Sequence, residues 1–187
     1  MYVKDKSSNP SAIRSRQMIV NALFTLMKQK KYTSITITDI AIEAQVTRKT
    51  FYQHFYSLDD VLDEYIETLY TEYIKALQQA SIQSIYEHIP LYFKFWMTHF
   101  DFLTLLSKNN LLSFILTKYD ELLPLIYAHL PCSIEGDSIL FEYFSTYTSG
   151  AFWKLLCKWV ERGGKETPEQ MSEIFKGFIV EMTKNPS

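Results

Sequence analysis

The side chains best suited to chemistry are concentrated in one stretch of fourteen residues, TRKTFYQHFYSLDD, which runs from Thr47 to Asp60. The stretch contains hydroxyls, two cations, an amide, an imidazole and two acids. An imidazole acts as a general base when a nucleophile and an orienting carboxylate lie within hydrogen-bond reach. His54 lacks such a pair at a suitable spacing, so we expect no catalytic residue and no enzyme activity. The same groups can instead form hydrogen bonds with a large polar partner.

The remaining histidines do not complete a metal site. His88, His99 and His129 are far apart along the chain, and they do not show the spacing of known zinc ligands. The two cysteines, Cys132 and Cys157, lack metal-type spacing and are too few for a disulfide framework. We therefore predict no metal, no cofactor, and reduced thiols in a cytoplasmic protein.

Charge is distributed unevenly along the 187 residues. Residues 1–58 contain nine lysines and arginines against three acids, whereas residues 59–187 contain ten against eighteen. A basic first part followed by an acidic remainder suggests that the first part meets a polyanion. Polar or charged residues interrupt every apolar run, so we expect a globular protein without a signal peptide or membrane span.

Apolar residues recur at three- and four-residue steps through most of the chain, and this spacing predicts helices. Only five glycines and six prolines occur, whereas a many-stranded sheet would need more turn residues. The pattern predicts nine helices, at about residues 11–29, 37–44, 48–55, 58–80, 84–99, 102–118, 120–130, 138–162 and 168–184. The predicted fold class is therefore all-α.

The second and third of these helices have the features of a helix-turn-helix. Thr36 and Asp39 are spaced as a capping box before the second helix, and Thr47 is placed as the N-cap of the third. Gln45 and Val46 lie in the turn between them. A helix that follows such a turn and carries an exposed polar face can enter the major groove of DNA.

The polar side chains around this motif divide by the groups of DNA that they can contact. The candidates for base edges are Arg48, Lys49, Thr50 and Gln53. The candidates for phosphate oxygens are Thr36, Thr47, Tyr52 and His54. Phe51 and Phe55, on the other side of the third helix, are expected in the core.

These residues also carry a resemblance to a known family. The segments ITITDIA (35–41), AQVTRKTFYQHF (44–55) and DVL (60–62) resemble the DNA-binding domain of TetR-family transcriptional regulators. A weaker resemblance, over YTSGAFWKLLCKWVERGGKETPEQMSEIF (147–175), is to a branch of that family that includes the dihydroxyacetone-kinase co-activator.

The resemblance implies a protein of two parts. A three-helix DNA-binding domain occupies residues 1–57, with a disordered tail at 1–9, and a larger helical bundle at 58–187 binds a small-molecule effector and dimerises. The implied function is that of a repressor that binds double-stranded DNA at a near-palindromic operator as a homodimer and releases it when the effector binds. The alternative is a co-activator of the same fold that acts through a protein partner.

Two departures from the family pattern keep that alternative open. Gln45 stands where glycine is usual, and it has to adopt the backbone conformation of the turn at a cost of about 1 kcal/mol. Leu58 stands where the family usually has a lysine that contacts phosphate. Both departures bear on the affinity for DNA more than on the fold.

The second part of the chain is dense in aromatic residues, which can form either the bundle core or the walls of an effector site. The candidates for contact with an apolar or aromatic effector are Tyr92, Phe95, Trp96, His99, Tyr119 and Tyr127. Apolar stripes on the last two helices suit a four-helix interface between two subunits. The residues predicted at this interface are Trp153, Leu156, Trp159, Val160, Ile174, Phe175 and Phe178.

Overall fold

The computed structural model describes residues 9–130 and 138–183, which form helices and connecting loops without a β-strand. The helices are α1 (Pro10–Gln29), α2 (Ile37–Glu43), α3 (Arg48–His54), α4 (Leu58–Ala80), α5 (Ile85–Thr98), α6 (Phe100–Lys108), α7 (Ser113–Tyr127), α8 (Ile139–Glu161) and α9 (Pro168–Thr183), and a 3-10 turn covers Tyr32–Ser34. Over the described residues, the all-α prediction and the number of helices are confirmed. The predicted tail at 1–9, apart from Asn9, lies outside the described residues, as does Cys132.

The chain divides into two compact units, Met1–Thr68 and Leu69–Ser187. The division falls within α4, whereas the sequence places a boundary after residue 57, where α4 begins. The two positions differ because sequence signals mark the ends of helices, and a packing unit can end inside one. None of the described helices is long and apolar enough to cross a membrane.

The core of the first unit is made by the apolar faces of its helices. Ile19 and Leu23, at a four-residue spacing on α1, are completely buried. Their fully buried neighbours in the fold are Ile40, Phe51, Val61 and Leu62. Phe55 is 2% exposed, so both phenylalanines that the sequence assigns to the core lie there. Burial of a side chain of this size contributes about 1.5–3 kcal/mol.

A capping box fixes the start of α4. The backbone N–H of Asp60 donates to Ser57 Oγ at 3.1 Å, while the Asp60 carboxylate accepts from the N–H groups of Ser57 at 3.2 Å and Tyr56 at 2.8 Å. These bonds satisfy donors that the helix leaves unpaired, and they place negative charge at its positive end. The SLDD sequence therefore begins α4, as predicted.

The second unit has an aromatic core. Within it, α5 packs on α9, and α8 packs on both α6 and α7. Trp96 contacts Tyr70 edge to face, with ring centroids 5.8 Å apart, and Trp159 contacts Phe93 and Phe100 at 5.5 and 5.3 Å. Such pairs contribute about 0.5–1.5 kcal/mol beyond the area that they bury.

The helices predicted over 102–118 and 120–130 are divided differently in the structure. α6 ends at Lys108 and α7 runs from Ser113 to Tyr127. Asn110 has a φ of +59°, and the N–H of Leu111 donates to the carbonyl of Leu106 at 2.9 Å. Asparagine tolerates this left-handed cap better than most residues. The apolar spacing continues across the break, which is why the sequence pattern does not reveal it.

Candidate functional site

Two backbone hydrogen bonds hold the turn between α2 and α3. The N–H of Val46 donates to the carbonyl of Ala41 at 2.9 Å, and the N–H of Gln45 donates to that of Ile42 at 3.1 Å. This is the Schellman pattern, in which the residue after the C-cap takes a left-handed conformation. Gln45 does so with a φ of +53°, so the predicted strain is present and costs about 1 kcal/mol relative to glycine.

Thr47 caps the start of α3. Its Oγ1 accepts a hydrogen bond from the backbone N–H of Thr50 at 3.0 Å, and the two hydroxyl oxygens lie 2.9 Å apart. Thr47 is exposed and Thr50 is half-buried. Thr50, which the sequence predicts to contact base edges, therefore forms hydrogen bonds with the N-cap residue. It also lies beside the polar face of α3.

The outward face of α3 is polar and accessible to solvent. Arg48, Lys49 and Gln53 are exposed, and the side chain of Tyr52 is 43% exposed. All four carry hydrogen-bond donors, and two carry a positive charge. The structure thus brings together, on one short helix, most of the side chains that the sequence assigns to DNA contact.

The other two predicted contacts, Thr36 and His54, lie at the ends of α2 and α3. Thr36 donates to one Asp39 oxygen from its N–H at 2.7 Å and from its hydroxyl at 2.8 Å, and its Oγ1 accepts from the Asp39 N–H at 3.1 Å. Lys30 lies 2.7 Å from the same carboxylate, and these donors lower the pKa of Asp39 to about 2. The predicted capping box is confirmed. His54 is half-buried, with its ring edge-on to Phe55.

Two long-range contacts that the sequence did not predict brace the first unit. Arg16 of α1 donates from Nε to Glu64 of α4 at 2.9 Å, and its guanidinium lies 5.2 Å from the centroid of the Phe55 ring. The hydroxyl of Tyr32 donates to Asp59, and burial raises the pKa of this tyrosine. The partners are 48 and 27 positions apart along the chain, so no local pattern indicates the pairs.

Comparison with known families agrees with this geometry. Residues 19–65 match the family described as "Bacterial regulatory proteins, tetR family". The matched segment contains α2, the turn, α3 and the first turns of α4. Residues 19–65 thus carry a DNA-binding domain of the TetR family of transcriptional regulators. Members of this family regulate transcription and are not enzymes, which agrees with the expectation from His54 that the chain has no catalytic site.

Two further proteins are similar to this chain over most of its length. The HTH-type transcriptional regulator YxbF of Bacillus subtilis (strain 168) is 22% identical over 182 residues, which is 94% of this chain and 47% of that protein. The chain therefore spans about half the length of this curated relative. The solved structure of the dihydroxyacetone kinase operon activator DhaS has a TM-score of 0.55 and 19% identity, covering 89% of this chain and 93% of that one. The likeness to DhaS shows a common fold.

Three of the predicted effector contacts lie together in the second unit. Tyr92, Trp96 and Tyr119 are buried, and the Tyr92 ring centroid lies 6.4 Å from each of the other two. Sequence reasoning missed four residues whose rings pack in the same cluster: Tyr70, Tyr73, His88 and Phe152. Tyr73 follows the apolar spacing predicted for the helix at 58–80, but that spacing does not show which side chains it contacts.

The other three predicted effector contacts lie in less buried surroundings. Phe95 on α5 and His99, the C-cap of that helix, are half-buried, with ring centroids 4.8 Å apart, and burial lowers the pKa of His99. Tyr127 packs against Phe141 of α8 at 5.2 Å and forms a hydrogen bond with Thr148. Phe95 also contacts Tyr73 and Trp96, with ring centroids 5.0 and 5.3 Å apart, so it borders the buried cluster. Among the described residues there is no group of three or more potential metal ligands.

The predicted interface residues on α8 and α9 separate into a buried and an exposed group. Leu156, Trp159 and Val160 are 0, 1 and 6% exposed within a single chain. These three positions are a correction to the sequence-based set, because side chains already covered by their own chain offer no surface to a partner. Ile174 and Phe178 are 40 and 47% exposed.

A further apolar group on α8 is exposed and was not predicted. Its members are Ile139, Leu140, Tyr143 and Tyr147, which are 73, 62, 71 and 60% exposed. The two remaining predicted interface residues, Trp153 and Phe175, are half-buried, and Phe175 stacks on Phe152 with centroids 4.7 Å apart. The apolar stripe of α8 that faces outward is thus a different one from the stripe read from the sequence.

Proposed function

We propose that this regulator is a ligand-responsive repressor that binds a near-palindromic operator as a homodimer and releases it when a small molecule binds. The observation that carries the proposal is the exposed polar face of α3. Arg48, Lys49 and Gln53 carry donors that suit the acceptors of base edges in the major groove, and Thr50 lies beside them. Positive charge on this face also favours the approach of a polyanion.

The capping hydroxyls differ in what they can offer a phosphate oxygen, which only accepts hydrogen bonds. Thr36 already donates its hydroxyl proton to Asp39, so a phosphate contact through this hydroxyl requires that bond to break. The hydroxyls of Thr47 and Thr50 share one hydrogen bond, and when Thr50 is its donor the Thr47 proton is available to a phosphate. We therefore propose Thr47, with Tyr52 and His54, as the principal phosphate contacts, and Thr36 as a weaker one.

A second copy of the chain is the partner that we propose for the exposed apolar residues of the last two helices. Tyr143 and Tyr147 lie one turn apart on α8, and Gly150 continues their face. No described atom comes within 4 Å of a Cβ added at Gly150, so this position is open to the approach of a second chain. Ile174 and Phe178 form a similar stripe on α9. Two stripes per subunit suit a four-helix interface with two-fold symmetry.

The co-activator alternative is supported by one observation. Leu58, the first residue of α4, places no cation beside the phosphate contacts of α3. A protein that works through a protein partner needs fewer such contacts. The name of DhaS, an operon activator, fits this alternative, but a shared fold at 19% identity does not favour it over repression.

Titration of labelled DNA from the region beside the protein's own gene tests the proposal. Fluorescence anisotropy over a salt series should show sequence-dependent binding that weakens by about 10³-fold or more between 50 and 200 mM salt, because phosphate contacts release counterions. Arg48→Ala and Gln53→Ala should weaken binding, whereas Lys165→Ala, an exposed cation in the loop before α9, should leave it unchanged. Absence of sequence-dependent binding at low salt contradicts the repressor, and capture of a stoichiometric protein partner without DNA supports the co-activator.

A further inference from the structure

His88 and Tyr73 form a buried polar pair within the second unit. Each side chain is 1% exposed, and the Tyr73 hydroxyl oxygen lies 2.5 Å from Nε2 of His88. His88 is on α5 and Tyr73 is on the part of α4 that belongs to this unit. The hydrogen bond between them occupies one of the two ring nitrogens.

The other ring nitrogen of His88, Nδ1, is buried and has no hydrogen-bond partner among the described residues. Leaving a polar group in this state costs about 1–3 kcal/mol. Most buried polar groups in folded proteins are satisfied, and the exceptions point to a bound molecule or an ordered water. Nδ1 therefore marks a position where a group from outside the chain completes the bonding.

The surroundings of the imidazole favour an aromatic molecule over water or an ion. The ring centroids closest to that of His88 belong to Phe152 at 5.3 Å, Tyr73 at 6.2 Å and Tyr92 at 6.3 Å. A buried water needs two to four polar partners, and aromatic rings stack well on other flat groups. An ion without a counter-charge is costly in such a place. Loss of solvent lowers the pKa of His88 to about 4, so the imidazole itself is neutral at pH 7.

The position of the imidazole proton decides which chemical group Nδ1 can bind. Burial raises the pKa of Tyr73, so its hydroxyl keeps its proton and can donate it. We assign this hydroxyl as the donor to Nε2. A neutral imidazole whose Nε2 accepts carries its own proton on Nδ1. Nδ1 is then a donor, and the group that completes its bonding is an acceptor.

We propose that His88 anchors an uncharged aromatic effector through a carbonyl or ether oxygen that accepts a hydrogen bond from Nδ1. The ring of the effector packs against the rings of Tyr92 and Phe152. A carboxylate fits less well because its charge has no partner among these rings. This inference rests on the proposed function, since it names the class of the effector that the second unit binds.

Two matched probes test the inference on the full chain by isothermal titration calorimetry. Acetophenone carries the carbonyl oxygen, and isopropylbenzene has the same number of heavy atoms and the same branching without it. We expect acetophenone to bind about tenfold more tightly, because one hydrogen bond to an otherwise unpaired buried donor is worth about that much. His88→Phe keeps a ring and removes the donor, so the preference should disappear. His129→Phe, which changes a half-buried histidine after α7, should keep it.

Nitrogen NMR of the unchanged chain provides a measurement that needs no variant, so the inference stays testable even when His88→Phe does not fold. The His88 signals should show the proton on Nδ1, and acetophenone but not isopropylbenzene should shift them. A proton on Nε2, equal affinity for the two probes, or binding of neither up to its solubility overturns the inference.

Both measurements are made without DNA, so the inference and the proposed function can fail separately. A chain that binds its operator and shows no preference for acetophenone overturns the effector class alone. A chain that prefers acetophenone and binds no DNA overturns the proposed repressor and leaves the ligand site in place.

Discussion

Thr36 and Asp39 hold each other at the start of α2 through three hydrogen bonds, and Lys30 pairs with the same carboxylate. The bonds satisfy N–H groups that the helix leaves unpaired. Because α2 leads directly into the turn that Gln45 closes, the box also supports the segment from which α3 begins. A single carboxylate near the surface thus contributes to the geometry of the proposed DNA-binding face.

The first prediction concerns the charge of that carboxylate. The donors from Lys30 and Thr36 lower the pKa of Asp39 from 3.8 to about 2, so its contribution to stability is present above the unfolded pKa and is lost as pH falls through the folded one. Asp39→Asn keeps an acceptor but removes the charge. We expect its Tm to lie below that of the unchanged chain at pH 5, and the gap to close toward pH 2. Thermal unfolding followed by circular dichroism measures the gap, and a gap that does not change with pH contradicts the prediction.

The second prediction concerns the turn. Gln45 has a φ of +53°, a conformation that glycine adopts without strain. Gln45→Gly should therefore raise the free energy of unfolding by about 1 kcal/mol, as measured by urea denaturation. Gln45→Ala is the control, since alanine carries the same strain as glutamine and should change stability by less than about 0.5 kcal/mol. A Gln45→Gly variant no more stable than Gln45→Ala would argue against strain at this position.

The parts of the fold that the sequence predicts well are those that local chemistry decides. The boundaries of α2, α3 and α4 follow from caps whose partners lie three or four positions apart, such as Thr36 with Asp39 and Ser57 with Asp60. The polar face of α3 follows because Phe51 and Phe55 mark the opposite, buried side. The break at Asn110 escapes the same reasoning, because asparagine is a weaker signal than glycine for a left-handed cap.

The parts that the sequence does not predict are those that depend on how distant helices pack. α8 is apolar on more than one side, so its pattern cannot show that Trp159 is covered while Tyr143 is exposed. The hydrogen bond of His88 with Tyr73 joins two helices and requires their relative placement. Aromatic spacing identifies α5 as buried, but it cannot distinguish a ring that fills the core from one that can contact a ligand.

The third prediction concerns the close approach of Gly164 to Phe100. A Cβ added at Gly164, whose φ is +62°, would lie 2.6 Å from Cζ of the Phe100 ring. Gly164→Ala should lower the free energy of unfolding by about 2–4 kcal/mol, because strain in the backbone and overpacking both contribute. Gly163→Ala has the strain alone, since no described atom comes within 4 Å of its added Cβ, and should cost about 1 kcal/mol. Equal costs in urea denaturation would mean that Phe100 moves aside.

The fourth prediction concerns the proposed homodimer. Tyr143→Asp places a charge on the exposed stripe of α8, and symmetry repeats it in both subunits. We expect a loss of about 2 kcal/mol or more of association free energy per subunit, seen as a shift to monomer in light scattering at micromolar concentration. Leu125→Asp changes an apolar side chain of similar exposure, 53%, on α7 and should leave the oligomeric state unchanged. A monomeric unchanged chain, or a dimeric Tyr143→Asp variant, contradicts the proposed interface.

The fifth prediction separates His88 from Asp39 by the pH range in which each acts. Burial lowers the pKa of His88 from 6.5 to about 4, so the folded state favours the neutral ring and loses stability as pH falls from the unfolded pKa toward the folded one. The loss approaches roughly 3 kcal/mol at pH 4, because each tenfold difference in proton affinity between the folded and unfolded states is worth about 1.4 kcal/mol.

His88→Phe should remove most of this dependence of stability on pH, whereas His129→Phe should keep it. His99, whose pKa burial also lowers, is present in both variants and contributes in the same direction. Urea denaturation at pH 7 and pH 4.5 measures how much the free energy of unfolding falls between the two pH values. An equal fall in His88→Phe and in the unchanged chain would show that the buried imidazole does not cause the pH dependence.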